Sequence, residues 1–217
     1  MPISDPHLLI DASSIRLSVG ILCSGNWLAW QTLESQALEG IFSGVSTCLH
    51  EAKIKLHDIR GFIHCMGPGS VLGIRMSAMA IHTWKAFPQW QQAPVVNYRI
   101  LHLVRSILQR EDKAIGPLHI ISEAHKNSWN CLSDAAETSD WVDQEQLVRL
   151  PGDLYYLQQR KTSHQPPQRA IHYELQTQKI AEHLLNPQVS RVSDTPEIPY
   201  SDPSQYQKWN GQRHTTG

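Results

Sequence analysis

The chain has 217 residues, a formal net charge of −1, and 41% hydrophobic and 18% charged residues. This is the composition of an ordinary globular protein, which argues against a disordered chain and against attraction to nucleic acid or membranes through overall charge. The length is sufficient for one large domain or for two small lobes, each with its own core.

Cysteines, histidines and the N-terminal sequence narrow the class of protein further. The four cysteines are widely spaced with no C-x-x-C pair, which is typical of free thiols in a reducing compartment. The twelve histidines include no H-x-x-x-H or H-E-x-x-H pair, so we expect no metal site. The apolar run at residues 8–10 is too short for a signal peptide or a membrane span, and we therefore predict a cytoplasmic protein.

Three strands are predicted at the start of the chain. Residues 7–11 form an apolar run that ends in an acid, and two further β-prone segments follow at 17–22 and 27–33. The last two are separated by the hairpin signal Ser-Gly-Asn. The pattern therefore predicts three strands in antiparallel succession.

The first helix is predicted over residues 35–52, where apolar residues recur every three or four positions. One side of it carries small residues, namely Ala37, Gly40, Gly44 and Cys48 or Thr47. Glycine inside a helix costs about 1 kcal/mol relative to alanine, so this stripe requires a compensating contact. Two explanations remain open: close packing on the chain's own sheet, and close approach of a helix from a partner chain.

A glycine-rich loop joins a fourth predicted strand, residues 61–66, to a second helix, residues 74–87. Its sequence over residues 67–75 is G-P-G-S-V-L-G-I-R, in which two glycines permit a sharp turn and Ser70 can cap the helix. The spacing matches neither the P-loop nor the dinucleotide-binding motif. A phosphate cradle at the helix N-terminus and a plain tight turn therefore both remain open.

The second helix is apolar around nearly its whole circumference, which predicts burial on both sides. One side should face the sheet, and the other requires either the first helix or a partner. The remaining side carries Arg75, His82 and Lys85 and is predicted to be a solvated edge.

A fifth strand at residues 93–96 completes the first region. The order strand, strand, strand, helix, strand, helix, strand is the plan of the ribonuclease H-like lobe of actin-like ATPases and sugar kinases. We therefore predict an α/β, two-lobed actin-like fold with a mixed five-stranded sheet in the first lobe and a smaller, degenerate second lobe. The first lobe is predicted over residues 1–99, the second over 100–187, and an irregular C-terminal tail over 188–217.

The second lobe gives weaker signals. Helices are predicted at residues 100–109 and 171–185, and strands at 118–122, 128–132 and 141–150. A local excess of positive charge comes from Arg149, Arg160, Lys161 and Arg169. It is explained either by a solvated surface or by a phosphate-facing patch.

Few residues could carry chemistry. The candidates for contact with a nucleotide phosphate are Asp11, Ser13, Ser14, Gly67, Gly69 and Ser70. The second lobe has no second glycine-rich loop, which argues against an independent phosphotransferase. The fourth strand ends without an acid, which argues against a two-metal nuclease, and no G-x-S-x-G motif supports a serine hydrolase. We therefore predict no catalytic residue.

The first half of the chain resembles a known family. The segments L-I-D-A-S-S at residues 9–14, L-S-V-G-I at 17–21, I-R-G-F-I at 59–63 and G-P-G-S-V-L-G-I-R at 67–75 are similar to those of the TsaB (YeaZ) family. This is a family of bacterial tRNA threonylcarbamoyladenosine (t6A) biosynthesis proteins in the actin-like ATPase superfamily, also labelled Gcp-like or glycoprotease-like. The resemblance covers about the first 110 residues. In the second lobe, E-A-H at residues 123–125 stands where family members tend to carry D-A-R.

The resemblance implies a non-catalytic subunit that forms a heterodimer with the threonylcarbamoyltransferase TsaD, which would hold the ATP or ADP and the metal. The ATPase TsaE would join the assembly, tRNA would be reached through the complex, and the isolated chain could form a homodimer. The residues expected at the partner interface are Ala37, Gly40, Ile41, Gly44, Cys48, Arg75, Ala78, Met79 and His82. The alternatives are a stand-alone small-molecule kinase or ATPase of the same fold and a homodimeric interaction module. No metal-ligand pair supports the glycoprotease label.

Overall fold

The computed structural model describes residues 3–34, 37–113, 116–124, 128–159 and 165–198, without the side chains of residues 37, 38, 177 and 178. It consists of two mixed sheets with helices against them, and the predicted α/β class is confirmed. Within these residues, no helix has the length and apolar character needed to cross a membrane.

The first lobe follows the predicted order of elements. They are β1 (His7–Asp11), β2 (Leu17–Cys23), β3 (Asn26–Leu33), α1 (Ala37–Ala52), β4 (Gly61–Cys65), α2 (Val71–Lys85) and β5 (Val95–Tyr98). Helix α2 begins three residues earlier than predicted, because Ser70 caps it by accepting a hydrogen bond from the Gly73 N–H at 3.2 Å. Since β1, β4 and β5 run parallel, their carboxyl ends meet at one edge of the sheet.

Within the described residues, the second lobe contains five strands and three helices, where three strands and two helices are predicted. Its elements are α3 (Ile100–Arg110), β6 (Leu118–Glu123), β7 (Ser128–Ser133), β8 (Asp140–Asp143), α4 (Gln144–Arg149), β9 (Asp153–Tyr156), β10 (Ile171–His172) and α5 (Thr177–His183). The strand order of this sheet is β10-β9-β6-β7-β8.

Two predicted elements of the second lobe are right only in part, because each is divided between a strand and a helix. The predicted strand at 141–150 is β8 followed by helix α4, because Asp143 and Gln146 form a reciprocal capping box that starts a helix. The predicted helix at 171–185 is β10 followed by the shorter α5, because residues 171–172 pair with β9.

In the described part of the chain, the sheet of the first lobe, predicted to have five strands, has six. Strand β11 (Ser190–Ser193), in the segment predicted to be an irregular tail, pairs antiparallel with β5 and gives the order β11-β5-β4-β1-β2-β3. The tail prediction is therefore wrong for residues 190–193, and residues 199–217 lie outside the described part of the chain.

The two sheets share one hydrophobic core. Helix α3 lies between them, and its apolar residues are buried against both. The same cluster contains Leu9 and Ile63 from the first sheet and Ile120 and Leu132 from the second. A separate cluster covers the other face of the first sheet, where α1 and α2 pack. A third cluster, which includes Ile121, Trp129 and Leu147, belongs to the second lobe alone, so each lobe has a cluster of its own and a further core is common to both.

Because of His64 on β4, we expect the free energy of unfolding to depend on pH. Its side chain is fully buried, and burial lowers its pKa from 6.5 to about 4. Below pH 6.5 the unfolded chain binds a proton that the native chain does not, so the free energy of unfolding should fall as pH drops from 6.5 towards 4. The expected loss from His64 is about 3 kcal/mol, at roughly 1.4 kcal/mol per pKa unit.

Urea denaturation of the native chain and of His64→Gln at pH 7 and pH 4 measures this contribution. The His64→Gln variant should show a smaller loss than the native chain, because glutamine does not titrate. His50→Gln serves as the control, since His50 is exposed, and should retain the native pH dependence. Equal pH dependence in all three proteins would contradict the expectation.

Candidate functional site

The edge where β1, β4 and β5 end carries a buried polar cluster. Asp11 accepts hydrogen bonds at Oδ1 from the Ser13 N–H at 2.8 Å and from the Ser13 hydroxyl at 2.6 Å. The Tyr98 hydroxyl donates to Oδ2 of the same carboxylate. Ser14 does not join the cluster, because its hydroxyl donates to the carbonyl of Arg16 at 2.8 Å. Both Asp11 oxygens are therefore engaged by the chain itself.

The glycine-rich loop lies directly on the turn that follows β1. The Ser70 N–H donates to the Ser13 carbonyl at 2.7 Å. A Cβ at Gly69 would overlap that carbonyl, and a Cβ at Gly73 would overlap the carbonyl of Ala12. The glycines at these two positions are explained by close backbone approach, with the loop covering the turn.

A second acid occupies the corresponding place in the other lobe. Glu123, at the end of β6, is buried and accepts at Oε1 from the Tyr156 hydroxyl and at Oε2 from the Gln159 N–H at 2.8 Å. The side chain of Gln159 reaches the first lobe, where its Oε1 lies 3.4 Å from the Ser13 hydroxyl oxygen. Gln159 thus connects the two acidic ends of the sheets.

Neither acid fits the binding of a nucleotide phosphate with its metal ion. Burial raises the pKa of both tyrosine hydroxyls, Tyr98 and Tyr156, which therefore remain protonated donors to the carboxylates at neutral pH. Both oxygens of each carboxylate already accept hydrogen bonds from the chain, which disfavours metal coordination, and two buried carboxylates repel an anion. Among the described residues, no three His, Cys, Asp or Glu side chains are grouped to hold a metal. Of the two explanations for the loop, the geometry supports the tight turn.

The cluster also lacks an activated nucleophile. Cys65, at the end of β4, is buried, and burial raises the pKa of its thiol well above the ordinary value. Its sulfur lies 3.3 Å from the Ser13 hydroxyl, which itself donates to Asp11. A protonated, enclosed thiol is a poor nucleophile. The arrangement is that of a structural hydrogen-bond network.

Five of the nine residues expected at the partner interface are buried within the chain. They are Gly40, Ile41, Gly44, Cys48 and Ala78. A Cβ at Gly44 would lie 3.0 Å from the side chains of Leu33 and Val19, so the small-residue stripe of α1 allows close packing on β2 and β3. For these five residues the expectation of a free interface is corrected to core packing. The side chain of Ala37 lies outside the described residues.

The exposed face of α1 and α2 carries three of the residues predicted at the interface and two that were not predicted. Arg75, Met79 and His82 are exposed. Leu72 and Met79, seven residues apart on the same side of α2, are 71% and 60% exposed. Phe42 on α1 is 57% exposed and contacts the α2 residue Trp84 edge to face at 5.9 Å. We call Phe42, Leu72 and Met79 the apolar face.

Leu72 and Phe42 were not among the predicted interface residues. A signal for Leu72 existed, because it lies one heptad before Met79 and belongs to the helix once Ser70 is recognised as its cap.

The positively charged segment of the second lobe is partly explained by internal contacts. The guanidinium of Arg169 donates to the carbonyls of Leu147, Leu150 and Gly152 at 2.7–2.9 Å. Arg149 is exposed and forms an i,i+4 pair with Glu145 at 3.8 Å. Residues 160 and 161 lie outside the described part of the chain. Arg169 therefore stabilises a turn.

Comparison with solved structures identifies the fold. The chain is similar to YeaZ from Pseudomonas aeruginosa, with a TM-score of 0.58 and 16% identity over 83% of this chain and 90% of that chain. It is also similar to a structure described as an uncharacterized protein with similarity to peptidase YeaZ from Pseudomonas aeruginosa, with a TM-score of 0.52 and 20% identity over 70% of this chain and 74% of that one. No protein-family model and no curated protein matches the sequence. The fold is thus YeaZ-like, the actin-like class that the order of elements predicts.

Proposed function

We propose that the chain is a non-catalytic scaffold or activator subunit in the formation of t6A, the modified adenosine next to the anticodon of tRNAs that read ANN codons. In this proposal it forms a heterodimer with a TsaD-type catalytic subunit through α1 and α2. ATP or ADP and the metal belong to that partner, a TsaE-type ATPase joins the assembly, and tRNA is bound by the complex. The YeaZ-like fold and the sequence resemblance support this assignment.

The apolar face carries the proposal. Leu72, Met79 and Phe42 are large and exposed on two packed helices, although an amphipathic helix normally turns such residues inward. Large apolar side chains exposed on one pair of helices favour a protein interaction site. Arg75 and His82 lie beside it on α2 and would form its polar border.

The polar cluster favours a binding subunit over a kinase or ATPase. A phosphotransferase needs carboxylates and N–H groups free to engage a metal and phosphates. Here the carboxylates of Asp11 and Glu123 accept hydrogen bonds from the chain's own hydroxyl and amide groups.

Met79→Glu tests the proposal. A carboxylate at the centre of the apolar face should weaken binding to the same organism's TsaD-type subunit by on the order of thirty-fold or more, because it would be desolvated unpaired at the interface. Isothermal titration calorimetry or co-purification measures the effect. Val148→Glu is the matched control, because Val148 is 62% exposed on α4 in the other lobe, and it should bind normally.

Three outcomes would overturn the proposal or part of it. Absence of binding by the native chain would reject the heterodimer. A homodimer that Met79→Glu converts to a monomer, with no heterodimer formed, would favour the homodimeric interaction module. Micromolar ATP binding with turnover by the isolated chain would favour a stand-alone kinase or ATPase.

A further inference from the structure

The segment that follows β11 lies across the ends of β4 and β5 and is held through its backbone. We call residues 193–198, which begin at the last residue of β11, the C-terminal strap. The amide side chain of Asn97 on β5, which is fully buried, donates to the Thr195 carbonyl at 3.0 Å and accepts from the Glu197 N–H at 2.8 Å. Nε2 of His64 on β4 lies 3.1 Å from the Glu197 carbonyl oxygen. Two buried side chains thus hold the strap by its peptide groups.

His64 also contacts helix α2. Its Nδ1 lies 3.3 Å from the hydroxyl oxygen of Ser77, and the same hydroxyl lies 3.0 Å from the carbonyl oxygen of Ile74, one turn earlier in the helix. His64 is therefore the one group in this arrangement that touches both the strap and α2.

The protonation of His64 decides which of these contacts are hydrogen bonds. Burial keeps the pKa at about 4, although Asp11 on β1 and Glu197 on the strap raise it, and His82 on α2 adds to the lowering. The imidazole is therefore neutral at pH 7 and carries one N–H. A carbonyl only accepts, so a bond to Glu197 requires the proton on Nε2. Nδ1 is then an acceptor, and the Ser77 hydroxyl can donate its one hydrogen either to Nδ1 or to the Ile74 carbonyl.

We propose that the C-terminal strap sets the tautomer of His64 and, through Ser77, the hydrogen bonding of the first turns of α2. When the strap is released, the imidazole is free to carry its proton on Nδ1 and to donate it to the Ser77 oxygen. The Ser77 hydroxyl is then left with the Ile74 carbonyl as its acceptor. No proton is gained or lost by the chain; the imidazole proton changes nitrogen and the hydroxyl loses one of its two acceptors.

The contacts from the strap through His64 to Ser77, which we call the relay, connect the strap to the helix that carries Leu72 and Met79. Only its consequence for partner binding rests on the proposed function: strap release would then alter affinity for the partner. The relay itself is a property of the isolated chain and is tested without a partner.

Glu197→Pro should release the strap, because it removes the backbone N–H of residue 197. Proline has no N–H, so the bond to Asn97 is lost, whereas Glu197→Ala keeps the N–H and removes only the side chain, which pairs with Arg191. Two-dimensional ¹H–¹⁵N spectra of the imidazole at pH 7 report the tautomer. The native chain and Glu197→Ala should show the Nε2–H form, and Glu197→Pro should shift towards the Nδ1–H form.

Hydrogen exchange measured by mass spectrometry checks the link to α2. Glu197→Pro should speed exchange in residues 190–198 about tenfold relative to Glu197→Ala, the change expected for one lost hydrogen bond. Hydrogen exchange in α2, residues 71–85, should then also differ between Glu197→Pro and Glu197→Ala. In a Ser77→Ala background the relay is cut, so Glu197→Pro should no longer affect α2, and the two substitutions should be non-additive.

Two results would overturn the relay. One is an Nδ1–H tautomer in the native chain; the other is release of the strap in Glu197→Pro with an unchanged tautomer. If the tautomer shifts as expected but no variant binds a TsaD-type subunit, the relay stands and the proposed function fails.

Discussion

Gly73→Ala should destabilise the protein by about 2–3 kcal/mol, the cost of forcing an extra group into a packed region. The residue lies in the first turn of α2, where alanine is intrinsically favoured over glycine by about 1 kcal/mol. Helix propensity alone therefore predicts stabilisation. The structure predicts the opposite sign, because the added Cβ would overlap the backbone carbonyl of Ala12, which cannot move without displacing the turn after β1.

Thermal and urea denaturation of Gly73→Ala and Gly116→Ala measure this effect. Gly116 is the matched control, since a Cβ there would lie 3.7 Å from its nearest neighbour, the Cα of Gly152, which is ordinary contact. The control should remain within about 0.5 kcal/mol of the native chain, as surface substitutions usually do. An unchanged or raised stability of Gly73→Ala would show that the loop does not rest on the turn as described.

Ala78→Glu should prevent folding, whereas Met79→Glu should leave the fold intact. The two residues are neighbours on α2, but Ala78 is fully buried and Met79 is 60% exposed. A carboxylate at position 78 would be enclosed without a partner, which costs several kcal/mol and is comparable with the whole stability of a domain. At position 79 the same carboxylate remains in water.

Circular dichroism and the soluble yield after expression distinguish the two variants. Ala78→Ser is the control for position 78, because it tests a small polar group without a charge and should retain the native fold. Folded Ala78→Glu with lost partner binding would place Ala78 on a free surface and contradict the core assignment. Unfolded Met79→Glu would place Met79 in the core and remove the apolar face from the proposed function.

The first lobe is well predicted because each of its elements has a local signal. The hairpin between β2 and β3, the loop before α2 and the apolar periodicity of α1 are all present in adjacent residues. The side of α2 that is covered could not be predicted. A helix with apolar residues all round gives no indication of which side meets the sheet, so Ala78 and Met79 were assigned together to an interface although only Met79 is exposed.

Strand β11 could not be predicted from its own residues. Its four residues, S-R-V-S, are short and mostly polar, and two of them are exposed. They form a strand because the outer edge of β5 is available for pairing and because Asn97, about a hundred positions earlier, holds the segment that follows. Such a contact between distant parts of the chain leaves no periodic pattern in the sequence.

The polar cluster contains two residues that the sequence singled out for a different role. Asp11 and Ser13 were candidates for contact with a nucleotide phosphate, and the structure places them in one internal hydrogen-bond network. Tyr98 could have been added, since the carboxyl ends of parallel strands meet at one edge and Tyr98 ends β5. Gln159 follows the end of β9 in a polar segment with no distinctive motif, and only the packing of the second sheet against the first brings it to Ser13.

The core shared by the two sheets has a thermodynamic consequence for association. In a protein whose lobes rotate about a hinge, binding must freeze that rotation and loses the corresponding entropy. Helix α3 is enclosed by both sheets, so a hinge motion here would have to expose its buried apolar side chains to water. Rotation of one lobe against the other is therefore costly before any partner arrives. Little rotational entropy would then be lost on binding, so most of the free energy gained by covering Phe42, Leu72 and Met79 would appear as affinity. In this way a small apolar area can support a specific complex.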